Sequence, residues 1–166
     1  MKVLLTWQAH AAEIERVARA LPAGTEVVAH PEMPAFSRFD ASFDRIAEDA
    51  RDADVIMGFC LPPPALDVAD RLGLLCWMHA GINRLDADRL MEKGVRVCNS
   101  RGANGTAVAE HAMALLLGAA KRLVMKHEAM QRAEYFPLYE EGTRAAMLAG
   151  RTLLVVGLGS IGGAVA

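Results

Sequence analysis

Three glycines spaced Gly157-x-Gly159-x-x-Gly162, with Gly163 adjoining, carry the strongest chemical signal in the chain. They follow the apolar run "TLLVV" and precede "IGGAVA", so the stretch reads as strand, tight turn and helix start. Such a turn suits a pyrophosphate. The first glycine permits the turn, the second lets the backbone approach the anion, and the third lets helix and strand pack closely. A helix N-terminus adds unpaired N–H groups and a positive dipole end. Gly157, Gly159, Ser160, Ile161 and Gly162 are therefore the candidate cofactor-binding residues. A glycine-rich turn with no ligand is the competing reading, and the strand in front tips the balance towards nucleotide binding. The acidic residue that would hold a ribose is expected about 20 residues further on. It lies past Ala166, so a finished dinucleotide site is not expected from this chain by itself.

The elements that would position these residues follow a regular rhythm. "VLLTW", "EVVAH", "DVIMGF", "LLCWMH" and "VRVCN" read as five short strands. Between them, "AAEIERVARAL", "FDRIAEDARDA", "PPALDVADRLG" and "LDADRLMEKG" read as helices. In the second helix Phe43, Ile46, Ala47 and Ala50 share one face, and the third begins with prolines and stops at Gly73. Strands alternating with helices predict a parallel sheet covered on both faces, and a flavodoxin-like doubly wound α/β fold is the natural topology. After Asn99 the character changes. A polar loop, "SRGANGTA", leads into a long helix over residues 106–123, which Asn104 or Thr106 can cap. Val108, Ala112, Leu115 and Ala119 share one of its faces, and apolar residues extend round the side, so burial nearly all round is expected. Residues 124–150 read as an arm with helical pieces, containing Tyr135, Tyr139 and Pro137. The expected division is a domain over residues 1–100 and the start of a second over residues 101–166.

The 166 residues carry 18 basic and 20 acidic side chains, a net charge of −2, with 53% apolar residues. A sizeable core is affordable, and no basic field for nucleic acid exists. The longest apolar run, "AMALLLGAA", is far short of the ~20 residues that span a bilayer. "MKVLLTWQAH" reads as a first strand, not a signal peptide. Cys60, Cys76 and Cys98 form no CxxC pair and no metal site is expected. They read as reduced, buried core thiols of a cytoplasmic protein.

Three segments, "HAGINRLD" (residues 79–86), "GVRVCNSRGANGTAVAEH" (residues 94–111) and "LLVVGLGSIGG", resemble the D-isomer-specific 2-hydroxyacid dehydrogenases in order and spacing. The resemblance covers the whole chain and the first half of such an enzyme. It implies an oxidoreductase that moves a hydride between NAD or NADP and C2 of a 2-hydroxy or 2-oxo acid. It also implies a substrate domain preceding a Rossmann nucleotide domain, with substrate in the cleft between them. Ala80 and Gly81 match the loop whose backbone N–H groups hold the substrate carboxylate. Asn104 matches an asparagine approaching that carboxylate, and Val108 a position near the nicotinamide. The family's substrate arginine, acid–base histidine and carboxylate partner belong to its later part, so no residue here is assigned as a catalytic acid or base. His79 reads better as a structural loop histidine, His111 as a packed or interface residue, and Glu110 as structural.

Two functions of different class follow. One is part of an NAD(P)-dependent dehydrogenase, inactive in isolation and homodimeric through residues 106–123 and the following arm. The other is a non-catalytic flavodoxin-like module that binds a small carboxylate or dimerises.

Overall fold

The computed structural model describes residues 1–29, 43–134 and 142–166. The chain divides into two compact units, Met1–Arg101 and Gly102–Ala166. His30, at the end of the second expected strand, and Tyr135, Pro137 and Tyr139 of the expected arm lie outside the described residues.

The first unit is a five-stranded parallel sheet of β1 (Lys2–Leu5), β2 (Glu26–Ala29), β3 (Val55–Gly58), β4 (Leu74–Trp77) and β5 (Arg96–Asn99). Its order, β2-β1-β3-β4-β5, is the flavodoxin-like winding expected from the alternating pattern. The helices α1 (Ala11–Arg19), α2 (Phe43–Ala50), α3 (Pro63–Val68) and α4 (Ala87–Glu92) connect the strands in turn.

Strand alternation splits the apolar residues between two cores. Leu4, Ile56 and Leu75, neighbours across the register, are fully buried on one face against Ile46 and Ala50 of α2, Leu66 of α3 and Leu90 of α4. Val3, Leu5 and Trp7 fill the other face, with Ile14 and Val17 of α1 packed on them. All four residues of the edge strand β5 are exposed.

Local chemistry sets the helix ends. The Glu13 carboxylate accepts the His10 N–H at 3.0 Å before α1, and the Asp86 carboxylate accepts the Arg89 N–H at 3.2 Å to cap α4. Prolines occupy the first turn of α3, where their missing N–H costs nothing. That helix ends at Val68 rather than at Gly73, because the chain leaves helical geometry at Ala69 and buries Ala69 and Leu72 in the core. Phe43 departs from its expected face and is 62% exposed.

The second unit is built on α5 (Gly105–Lys121), α6 (Leu123–Gln131) and the short α7 (Gly162–Val165). The expected helix over residues 106–123 is interrupted at Arg122, which takes the left-handed conformation at φ 57° and separates α5 from α6. Nor is α5 buried nearly all round. Gly105 and Ala109 are buried, whereas Leu115 is 61% exposed and Ala119 is exposed, because α6 and α7 cover only part of its circumference. Lys121 Nζ donates to the Ala146 carbonyl at 2.9 Å, and the Ala146 N–H donates to the Ala120 carbonyl at 2.7 Å. Residues 152–156 carry no strand ladder. A strand needs a neighbour for its N–H and C=O groups, and none of the described residues supplies one.

Candidate functional site

Loops after parallel strands emerge at the carboxyl edge of the sheet, where doubly wound folds place ligands. The loop after β4 carries His79, Ala80, Gly81 and Ile82. The Ala80 carbonyl accepts from Asn99 Nδ2 at 2.6 Å, and the Gly81 carbonyl accepts from Trp77 Nε1 at 2.9 Å. Trp77 and Asn99 face each other in register as the last residues of β4 and β5. Two strand ends therefore grip two consecutive peptide planes. In a trans peptide the N–H points opposite to the C=O. Pinning these carbonyls against the sheet turns the Gly81 and Ile82 N–H groups away from it, on residues that are themselves exposed. Two adjacent backbone donors turned the same way are the kind of group that suits a carboxylate.

His79, at the start of this loop, does not belong to its donor set. Its Nε2–H donates to the Phe59 carbonyl at 2.9 Å. Its ring packs 4.9 Å from Trp77 and 5.4 Å from Phe59, and Phe59 lies edge-on to Trp7 at 6.1 Å. The histidine joins the ends of β3 and β4, a structural role. Beneath it the buried Thr6 hydroxyl donates to the Cys60 carbonyl at 2.8 Å, closing β1 onto the loop after β3.

In the second unit Asn104 occupies the N-cap position of α5, but its side chain makes no capping hydrogen bond. Its carbonyl accepts the Val108 N–H at 2.9 Å, the first bond of the helix, and the residue is exposed. The glycine turn lies against this helix start. Ser160 lies close enough that a Cβ on Gly102 or Gly105 would touch it. Asn104 and Ser160 thus flank one helix terminus, with the half-buried Val108 one turn along. His111 and Glu110 are exposed.

The glycines of the turn are not equivalent. Gly157 has φ +93°, a conformation open to glycine. A Cβ on Gly162 would collide with the Gly157 carbonyl oxygen, so the turn closes only with glycine there. Gly159 has open space where a Cβ would stand. Gly157 is likewise open, so the backbone on both sides of Leu158 leaves room for a pyrophosphate brought against it, and the residues present fit that group on this count.

Among the described residues no cluster of three or more His, Cys, Asp or Glu side chains could hold a metal. No described helix is long and apolar enough to cross a membrane. Ion pairs gather at the opposite, amino edge of the sheet. Asp54 accepts the Lys2 N–H and an Arg71 N–H, each at 2.7 Å, and both hold its carboxyl below the usual range. Lys2 Nζ donates to Asp52 at 2.5 Å, which raises the Lys2 ammonium.

Sequence reasoning placed the loop but missed its braces. Asn99 is the polar residue ending an otherwise β-forming run, which is a weak signal. Trp77 reads as core in any alternation pattern, and its indole N–H finds a partner only through the fold.

Residues 3–152 match the family model described as D-isomer specific 2-hydroxyacid dehydrogenase, catalytic domain. D-3-phosphoglycerate dehydrogenase of Methanocaldococcus jannaschii is 30% identical over 122 residues, covering 72% of this chain and 23% of that protein. Glycerate dehydrogenase of Hyphomicrobium methylovorum is 29% identical over 170 residues, covering 99% of this chain and 50% of that one. Among solved structures, the NADPH-dependent glyoxylate/hydroxypyruvate reductase of Sinorhizobium meliloti, in complex with NADP and malonate, matches with a TM-score of 0.66. It is 26% identical, and the match covers 99% of this chain and 48% of that one. The chain thus spans at most about half the length of these relatives.

Proposed function

The chain belongs to the D-isomer-specific 2-hydroxyacid dehydrogenase family, and from that premise we propose that it carries the carboxylate-holding loop and the opening of the dinucleotide site of such an oxidoreductase. The reaction is hydride transfer between NAD or NADP and C2 of a small 2-hydroxy or 2-oxo acid. The nicotinamide supplies the hydride when bound. The chain's own part is to bind and orient.

One observation carries the reading: the Ala80 and Gly81 carbonyls are tied back by Asn99 and Trp77. Donors whose direction is set before the anion arrives lose little entropy on binding. The Gly81 and Ile82 N–H groups then hold the substrate carboxylate, and Asn104 is the further substrate-binding residue that the family resemblance implies. Val108 borders the nicotinamide. Gly157, Gly159, Ser160, Ile161 and Gly162 cradle the pyrophosphate, as the space beside Gly159 allows. The malonate carried by the Sinorhizobium meliloti reductase supports a small carboxylate as ligand class. Residues 1–100 act as the substrate domain and residues 101–166 open the nucleotide domain. The protein is cytoplasmic, and it pairs as a homodimer through residues 106–123 and the following arm.

Calorimetric titration of the 166-residue chain with glycerate, glyoxylate and malonate tests the loop. Binding of at least one of them is expected, weakened in Asn99→Ala. No heat with any of the three would sink the proposal. Titration with NAD and NADP separates the second reading. Carboxylate binding without dinucleotide affinity is the behaviour of a binding module, whereas dinucleotide affinity favours a working cofactor turn. Steady turnover of a 2-oxo acid with reduced cofactor is not expected from this chain, since no acid–base group is assigned in it.

A further inference from the structure

Cys76 and Cys98 stand opposite one another in register across the parallel strands β4 and β5. Residues paired in this way leave the same face of a sheet, and neighbouring strands run about 4.8 Å apart. Disulfides bridge Cα atoms separated by about 4.4–6.8 Å, so the pair lies within reach of a bond with no large backbone movement. Neither thiol is in the buried core expected from the sequence. Cys98 is exposed and Cys76 half-buried, because the edge strand β5 is uncovered. Both are free. The two groups already interact: burial, and then the hydrogen bond with Cys98, push the Cys76 thiol up to about 11. Cys60 is placed differently, with its Sγ donating to the Thr6 carbonyl at 3.5 Å.

We propose that Cys76 and Cys98 form a redox modification site, a cross-strand dithiol that a hydroperoxide converts to a disulfide joining β5 to β4. The exposed Cys98 sulfur attacks the peroxide. An S–O bond forms, the O–O bond breaks, and the leaving oxygen departs with a proton as water or an alcohol. The Cys76 sulfur, which keeps its proton until this point, then attacks the sulfenic sulfur. The S–S bond forms, the S–O bond breaks, and the departing hydroxide takes the Cys76 proton as water. In sum, two thiols and one hydroperoxide give one disulfide, one alcohol or water, and one further water. The sulfurs together lose two electrons. The position gives the bond a consequence. Trp77 and Asn99 are the next pair in register, and they hold the Gly81 and Ala80 carbonyls. Oxidation therefore fixes the strand spacing directly beneath the braces of that loop.

Treating the reduced 166-residue chain with equimolar hydrogen peroxide, then alkylating, digesting and weighing the peptides, tests the site. The expected product is a monomolecular Cys76–Cys98 cross-link, lighter by two hydrogens, with Cys60 alkylated and all three thiols recovered by dithiothreitol. In C76S the link is absent, and Cys98 goes on to sulfinic acid or bridges two chains. Three results on the wild-type chain would overturn the proposal. They are sulfinic acid at Cys98 with Cys76 still alkylatable, a Cys98 bridge between chains, or three free thiols after excess peroxide.

Discussion

At the residue scale, two side chains hold backbone carbonyls of the loop after β4, and the anion site proposed there depends on them. Replacing Trp77 by Phe keeps the aromatic body and removes the Nε1–H that holds Gly81. A net hydrogen bond contributes about 1 kcal/mol, so Trp77→Phe and Asn99→Ala should each weaken carboxylate binding roughly 5-fold by calorimetry. Binding unchanged in both variants would show that the braces do not set the donors. The glycine turn offers a contrast between two similar changes. Gly159→Ala meets open space and should leave the melting temperature unchanged while weakening whatever dinucleotide affinity the titration detects. Gly162→Ala forces a methyl group into the Gly157 carbonyl and should lower the stability of the second unit itself. Thermal melts with and without NAD separate the two effects. His79 illustrates the limit of reading chemistry from residue type. It is a histidine beside a candidate anion site, yet its Nε2–H is spent on Phe59.

At the element scale, the sheet's stability rests on strand residues buried between helices. Ile56 in β3 is fully buried against α2 and α3 neighbours. Ile56→Ala should cost about 2–5 kcal/mol in denaturant unfolding, the range for large-to-small changes in a packed core. The helical unit behaves in the opposite way. Leu115 of α5 is 61% exposed, and Leu123, Val124 and Met130 of α6 are more than half exposed. This apolar surface, gathered on two adjacent helices, is what the proposed homodimer would bury. Sedimentation of the 166-residue chain should therefore show a dimer, and Leu115→Glu should shift it to monomer without lowering the sheet's melting temperature. A wild-type chain that remains monomeric at every concentration would count against the homodimer. The five strands and the α1 to α4 helices were legible from period and length. The break between α5 and α6 was not, because the left-handed residue is Arg122 and the pattern offers no glycine there.

At the scale of the whole chain, stability against pH should have two limbs set by the amino edge of the sheet. Asp54 has its carboxyl held below the ordinary 3.8 by the Lys2 N–H first and the Arg71 side chain second. Its contribution is present above pH 3.8 and is lost as pH falls through the lowered value. Lys2 is raised above 10.5 chiefly by its hydrogen bond to Asp52. That contribution is complete below pH 10.5 and is lost as pH rises through the raised value. Urea midpoints across pH should fall at both ends. Asp54→Asn should flatten the acid limb and Lys2→Met the alkaline one. An acid limb unaltered by Asp54→Asn would place its origin elsewhere. These groups sit at the edge opposite the loop, so both variants should leave carboxylate binding intact near neutral pH.

The sequence by itself determined the parallel α/β architecture, because strand and helix periods are local and alternate cleanly through residue 99. It also determined the position of the loop at Ala80 and Gly81 and of the glycine turn at residues 157–162. What only the tertiary structure decided was which groups meet. Trp77 and Asn99 are 22 positions apart and become partners of one loop only when β4 and β5 pair in register. The same pairing brings Cys76 to Cys98, two thiols that look like separate core residues in the sequence. Residues 152–156 show the converse, a β-forming run without a ladder. A strand, a braced loop and a dithiol are each properties of two segments, and distance along the chain carries no information about which segments will lie side by side.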